Sequence, residues 1–205
     1  YRQPTIPARR LPRERFSPLM FSSQLAEKSG AFSKRAIDIM ADHHEAVDGS
    51  GWPRGHRHVS RSAQILALVN RYDNLCTPQT QGSDPFMPTE ALAHIYKNER
   101  TRFDTDILTT LIRLLGVYPP GTVVQLTDGS LALVVAPGVG TLYPEVLIYT
   151  PELHKNEAPT FQLTADGDVK IAEAIRPSSL PADVRTWLNP QQRLSYFYSA
   201  EPFNP

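Results

Sequence analysis

His43, His44 and Glu45 are adjacent, and Asp48-Gly49-Ser50-Gly51-Trp52-Pro53 follows two residues later. Neutral imidazole is a ligand for iron, manganese, zinc or nickel. A glycine-rich turn beside it lets backbone amides approach a phosphate without side-chain interference. These residue types in this order point to metal chemistry on a phosphate ester. Two blander readings stand beside it: a hydrogen-bonded pair of core histidines, and an ordinary turn built from Asp-Gly and Ser-Gly. The loop is no calcium loop, because the acidic residues needed at alternating positions are missing. Arg54, His56, Arg57, His58 and Arg61 form a basic cluster after it, readable as a phosphate-binding edge or as a solvated face.

Helices must position these groups. Ser33 is placed to cap a helix in which Ile37, Met40 and His44 recur at i, i+3 and i+7, with Ala36, Ile39 and His43 alongside. That spacing turns both histidines toward the apolar side. Ser60 or Ser62 opens a longer helix with Ile65, Leu68, Val69, Tyr72 and Leu75 on its apolar face. Leu66, Asn70, Asp73 and Thr77 follow another face. Pro78 ends this helix, and a polar loop runs to Pro88. Thr89 caps a helix to about Arg100, and Asp104 or Thr105 caps another through Leu115, with Gly116 as its stop. Asp73 reads as a helix-end or hydrogen-bonding residue, and Cys76 as a small buried hydrophobe.

The pattern changes after Tyr118-Pro119-Pro120. Segments 122–127 and 130–135 flank Asp128-Gly129, a signal for a two-residue hairpin turn. A third strand is expected over 142–150, and a second hairpin from 161–164 and 169–172 around Asp166-Gly167. A short helix over 183–188 and a last strand at Tyr196-Phe197-Tyr198 complete the tail, in which nothing looks catalytic. Before residue 30, Pro4, Pro7, Pro12 and Pro18 interrupt any helix, and Arg9, Arg10, Arg13 and Arg15 make the stretch basic, leaving a short helix over 19–28. The expected fold is mainly α: a lead-in over 1–32, a helical bundle over 33–116 and a small β-rich appendix of hairpins over 117–205.

Composition narrows the function classes. The chain of 205 residues is 40% hydrophobic, enough for a proper core. Its 21 basic and 21 acidic residues leave no net field, so neither nucleic acid nor a membrane surface is an expected partner. The lone Cys76 has no internal disulfide partner, which suits a reducing cytoplasm. No apolar run approaches the roughly 20 residues that span a bilayer. Tyr1 in place of an initiator Met makes the chain read as a cytoplasmic piece of something larger.

The stretch from His43 to Pro53, together with Ile65-Leu66-Ala67-Leu68-Val69-Asn70-Arg71-Tyr72-Asp73-Asn74-Leu75, resembles the HD-GYP family over roughly residues 16–116. Leu115-Gly116-Val117-Tyr118-Pro119-Pro120-Gly121 and the hairpin after it resemble the extension some members carry. The resemblance implies an HD-domain-like all-α fold and a bi- or trinuclear centre of Fe, Mn or Ni. It also implies hydrolysis of cyclic-di-GMP to linear pGpG. In such chemistry two metals about 3.5–4 Å apart polarise the phosphoryl oxygens and supply a hydroxide.

Carried over by resemblance, His43 and His44 are metal ligands, and Asp48, Gly49, Ser50, Gly51, Trp52 and Pro53 form the substrate or partner loop, flanked by Arg54 and Arg57. Trp52 stands where the family has Tyr, and an indole can still stack on a guanine. The same loop implies contacts with GGDEF-domain or other signalling proteins. Several positions depart from the pattern. No His precedes His43, Ser17-Pro18 aligns where a family His is usual, and Asn70 replaces the expected Asp. Pro78-Gln79-Thr80-Gln81 replaces a phosphate-facing Arg segment. A neutral carboxamide neither offsets metal charge nor readily bridges two ions, and two histidines alone make an insecure site. The expected function is therefore a catalytically degenerate module that binds a nucleotide or a protein in cyclic-di-GMP signalling. The alternative is an active metal-dependent phosphodiesterase whose other ligands lie in sequence not given.

Overall fold

The architecture is that of a computed structural model, which describes residues 17–77 and 85–188. It is helical, with a five-stranded antiparallel sheet toward the C-terminus. Two compact units divide it. The basic lead-in, the Pro78 stop, the loop after it and the strand expected at Tyr196-Phe197-Tyr198 lie outside the described residues.

The first unit runs up to Leu68 and includes Thr101–Asp104. Helix α1, Ser17–Ser29, stops where Gly30 takes φ +65°, a left-handed value glycine adopts without a Cβ clash. Helix α2, Lys34–Asp42, is capped as expected, the Ser33 hydroxyl accepting from the Ala36 N–H at 3.3 Å. It ends before the histidines do. His43 is its C-cap, so His44 does not continue the helical i+7 stripe. The reason is local: the His43 Nδ1 and the Met40 carbonyl meet at 2.6 Å, and the Glu45 N–H turns back to the Asp42 carbonyl at 2.9 Å. Those contacts satisfy helix-end carbonyls that further helical turns would otherwise need.

Helix α3, Arg61–Cys76, begins at Ser60 rather than Ser62, the Ser60 hydroxyl accepting from Ala63 N–H. Its buried stripe is Ala63, Ala67, Leu68, Tyr72 and Leu75, whereas Ile65 and Val69 are 47% and 43% exposed. The buried face is rotated from the expected one toward Ala63 and Ala67. Alanines admit close backbone approach and so take the buried positions.

The second unit comprises Val69–Arg100 and the chain from Thr105 on. Helix α4, Pro88–His94, starts two residues earlier than expected, with Met87 rather than Thr89 as its N-cap. Pro88 lacks an N–H that would be orphaned there, and the Glu90 carboxylate accepts the Met87 N–H at 3.0 Å. The helix then widens into a π turn, Ile95–Glu99, and tightens into a 3-10 turn, Arg100–Arg102. Helix α5, Thr105–Leu115, ends at Gly116 with φ +76°.

Strands β1 (Val123–Leu126), β2 (Leu131–Ala136), β3 (Glu145–Ile148), β4 (Thr160–Gln162) and β5 (Ile171–Ile175) lie in the order β4-β3-β2-β1-β5. The first hairpin forms, with Val123 opposite Leu133, but its loop holds three residues rather than two. Leu126 N–H bonds the Ser130 carbonyl, and Gly129 at φ +88° completes the turn. The second expected hairpin does not form. β4 pairs with β3 and β5 with β1, so these two strands lie on opposite edges of the sheet. Leu163, buried below β4, starts the crossing, and Lys170 meets Thr127 at the far side.

Alternation along the strands gives the sheet two apolar faces. Val123, Leu133 and Leu147 pack with Leu180, Val184 and Leu188, the last two from helix α6, Ala182–Leu188. Val124, Leu126, Ala132, Val134, Val146 and Leu163 form the opposite face.

Candidate metal and nucleotide site

The histidine pair sits at the mouth of a tightly bonded loop in the first unit. The His43 Nδ1 faces a carbonyl, which only accepts, so that nitrogen carries a proton and donates it to the Met40 oxygen. His44 stacks on Trp52, centroids 4.4 Å apart and planes 19° apart, and meets the His43 ring at 4.0 Å with the planes tilted by 39°. Burial, then the neighbouring His43 and Arg102, lower the His44 pKa to about 4. His44 is therefore neutral at pH 7, the form that ligates a metal.

Glu45 takes a different role from its neighbours. It is 3% exposed, and its two carboxylate oxygens accept from the Arg54 and Gly55 N–H groups at 2.7 and 2.9 Å. This clasp folds the loop back on itself. The Trp52 N–H reaches the His44 carbonyl at 3.1 Å, closing it further. Only glycine fits at position 51, where a Cβ would come 2.3 Å from the Ala46 nitrogen and 2.4 Å from the Glu45 Cα. Gly49 adopts φ +81°, and the Arg57 side chain lies beside it, 3.3 Å from where a Cβ would sit.

Asp48 accepts from the Ser50 N–H at 2.9 Å and from the Thr101 hydroxyl at 3.2 Å. Burial raises its pKa, but those hydrogen bonds and the Arg102 charge prevail and hold it below the usual carboxylate value. Arg102 also accepts the Val47 N–H at its carbonyl, 3.1 Å away. Asp42 lies at ion-pair distance from Arg54 (3.4 Å) and from His56 (3.5 Å). The structure thus brings His43, His44, Trp52, Asp48 and the arginine-flanked loop into one cluster.

Asn70 is described within the second unit, on the later half of α3. Its side-chain oxygen accepts from the Asn74 amide at 3.1 Å, one helical turn along. Asp73 accepts from the Thr77 hydroxyl, through its carbonyl at 2.8 Å and its carboxylate at 3.4 Å, in keeping with the hydrogen-bonding role read for it. In the same unit Glu99 is engaged by the Arg71 guanidinium, whose Nε lies 2.8 Å from one oxygen, and by His94 at 3.2 Å. Burial raises the Cys76 thiol to about 11, which keeps it inert.

Donor chemistry tests the metal centre that the resemblance implies. Two imidazoles suit it, and the buried Asp42 Oδ1 has no hydrogen-bond partner, but Glu45 is committed to two amides and Asp48 to Ser50 and Thr101. Among the described residues no group of three or more His, Cys, Asp or Glu converges to hold an ion. As folded, this donor set does not fit a bridged multinuclear centre, which needs anionic ligands to offset its charge.

Sequence reading missed Thr101 and Arg102, which lie more than fifty residues along the chain from Asp48. It missed the clasp role of Glu45 as well. The run Arg100-Thr101-Arg102 just before Phe103-Asp104 was the one available signal.

Comparison with known proteins places this geometry. Residues 20–107 match the HD domain family. The chain is also 28% identical over 122 residues to a cyclic di-GMP phosphodiesterase of Pseudomonas aeruginosa. That similarity covers 57% of this chain and 28% of the relative. No solved structure matches the chain. Over residues 20–107 the chain is thus similar to HD domains, in keeping with its HD-GYP-like motif. No helix among the described residues is long and apolar enough to cross a membrane.

Proposed function

We propose that this chain is a cyclic-di-GMP signalling module that acts by binding, its HD-GYP-like site being catalytically degenerate. The supporting observation is the commitment of Glu45 to the Arg54 and Gly55 amides and of Asp48 to Ser50 and Thr101. Asn70, whose oxygen faces Asn74, adds a neutral amide where the family resemblance calls for an acid. The ligand is cyclic-di-GMP or a related nucleotide, and Gly51-Trp52-Pro53 with Arg54 and Arg57 forms the face offered to a GGDEF-domain or other signalling protein. The setting is cytoplasmic. We read the chain as a lead-in (1–32), a bundle (33–116) and a β-rich extension (117–205).

One observation favours the second reading, an active Fe-, Mn- or Ni-dependent phosphodiesterase. The His44 imidazole is neutral at pH 7, the form that ligates a metal. Elemental analysis of the intact protein, with manganese-supplemented release of pGpG, decides between them. Stoichiometric metal with turnover defeats the binding reading.

A further inference from the structure

Asp-Gly occurs at three places in the chain: Asp48-Gly49, Asp128-Gly129 and Asp166-Gly167. This pair carries a chemistry of its own. The glycine amide nitrogen can attack the aspartate Cγ, because no Cβ on the glycine shields that nitrogen. The new N–C bond closes a five-membered succinimide, and the carboxyl hydroxyl leaves as water with the amide proton. Water then opens the ring. Opening at Cγ restores aspartate, and opening at the former main-chain carbonyl gives isoaspartate, whose backbone runs through Cβ and Cγ. No oxidant or cofactor is consumed, and the mass is unchanged.

Attack requires the carboxyl and the following amide to leave whatever holds them. At the first two sites hydrogen bonds hold both groups. Asp48 accepts from the Ser50 N–H at 2.9 Å and from the Thr101 hydroxyl at 3.2 Å, and the Gly49 N–H donates to the Ala46 carbonyl at 2.9 Å. Asp128 accepts from the Ser130 N–H at 2.9 Å, and the Gly129 N–H donates to the Leu126 carbonyl at 2.9 Å.

The third site differs. Asp166 is exposed, and the residue two positions on is Asp168 rather than serine. Among the described residues its carboxylate has no hydrogen-bond donor. The Gly167 N–H meets the Thr164 carbonyl only at 3.4 Å, beyond the usual range of an N–H···O bond.

We infer that Asp166 is a site of spontaneous isoaspartate formation, the one of the three Asp-Gly pairs that the fold leaves able to react. The product keeps its negative charge and adds one carbon to the main chain between β4 and β5. Both ends of that connection are anchored: Leu163 is buried, and the Lys170 N–H donates to the Thr127 hydroxyl at 3.1 Å.

The test ages the full chain for weeks in warm neutral buffer, folded and in urea, and resolves its tryptic peptides against synthetic isoaspartyl standards. In the folded chain isoaspartate should accumulate at Asp166 about 10-fold faster than at Asp48 or Asp128, the weight of one hydrogen bond to a charged group. In urea those bonds are gone, and the three rates should draw together. Asp166→Glu should abolish the fast product, since its longer side chain disfavours the ring. Absence of isoaspartate at Asp166 in the folded chain overturns the inference, and so do equal rates at the three sites before unfolding. A rate at Asp166 that rises in urea as steeply as the other two overturns it as well, because the fold would then protect all three.

Discussion

The indole of Trp52 lies flat on the imidazole of His44, centroids 4.4 Å apart, while the Trp52 N–H is bonded to the His44 carbonyl at 3.1 Å. Ring and backbone therefore hold the same residue from two directions. The aromatic residue of the loop is thereby a structural partner of the histidine pair as well as a surface for ligands.

Trp52→Ala should remove both the ring contact and the cover it gives. Aromatic pairs contribute about 0.5–1.5 kcal/mol beyond burial, so a loss of at least that size is expected in chemical denaturation. The His44 pKa should rise from about 4 toward 6.5, followed by NMR titration of the imidazole. Trp52→Phe should retain most of both.

Acid should weaken the fold through two groups. The folded His44 pKa, about 4, lies below its unfolded value of 6.5, so the unfolded chain binds the proton first. Stability is lost as pH falls from 6.5 toward 4. Asp48 is also depressed, so its contribution is present above 3.8 and disappears as pH drops through its lower folded value. Both effects have the same sign. Denaturant midpoints measured from pH 7 to pH 4 should fall steadily, and His44→Gln should flatten the upper part of that slope.

Glu45→Gln leaves one oxygen and one NH2 facing two backbone donors. One amide loses its acceptor, and charge-assisted bonds of this kind weigh about 1.5–3 kcal/mol. Urea unfolding should show a loss in that range, with loop protons exchanging faster by hydrogen exchange.

Two glycine substitutions should differ sharply. Gly51→Ala drives a Cβ to 2.3 Å from a backbone nitrogen, which cannot yield, so the loop must rearrange. A loss above about 4 kcal/mol or an insoluble product is expected. Gly129→Ala meets nothing within 4 Å and bears only the strain of φ +88°, about 1–2 kcal/mol. Thermal melting of the two variants checks the order.

Asn70→Asp restores one acid at the position where the family carries one. It leaves Glu45 and Asp48 bound to their present partners, so hydrolysis of cyclic-di-GMP should stay absent in manganese. Release of pGpG by this single variant would reverse the assignment.

Much was legible in the chain because it is encoded locally. Ser33 before an apolar repeat, Gly116 after one, and Asp128-Gly129 between alternating segments each act through neighbours a few residues away, and each lies at the boundary expected. The stop of α2 before His44 was not legible, since it depends on a side chain turning back to the Met40 carbonyl. Nor was the separation of β4 from β5. A turn signal at Asp166-Gly167 reports that the chain bends there, while strand pairing depends on which sheet edges are available.

What residue order determined by itself was the inventory: two imidazoles, a glycine-framed loop, an aromatic residue followed by proline, and an amide at position 70. Folding decided who partners whom. Glu45 and Asp48 have the same composition whether they ligate a metal or brace a loop, and only their amide and hydroxyl contacts distinguish the two. Arg102 reaches the loop because a turn far along the chain is bonded to Val47 and Asp48. Long-range electrostatics of that kind depends on distance in space, which spacing along a chain does not record.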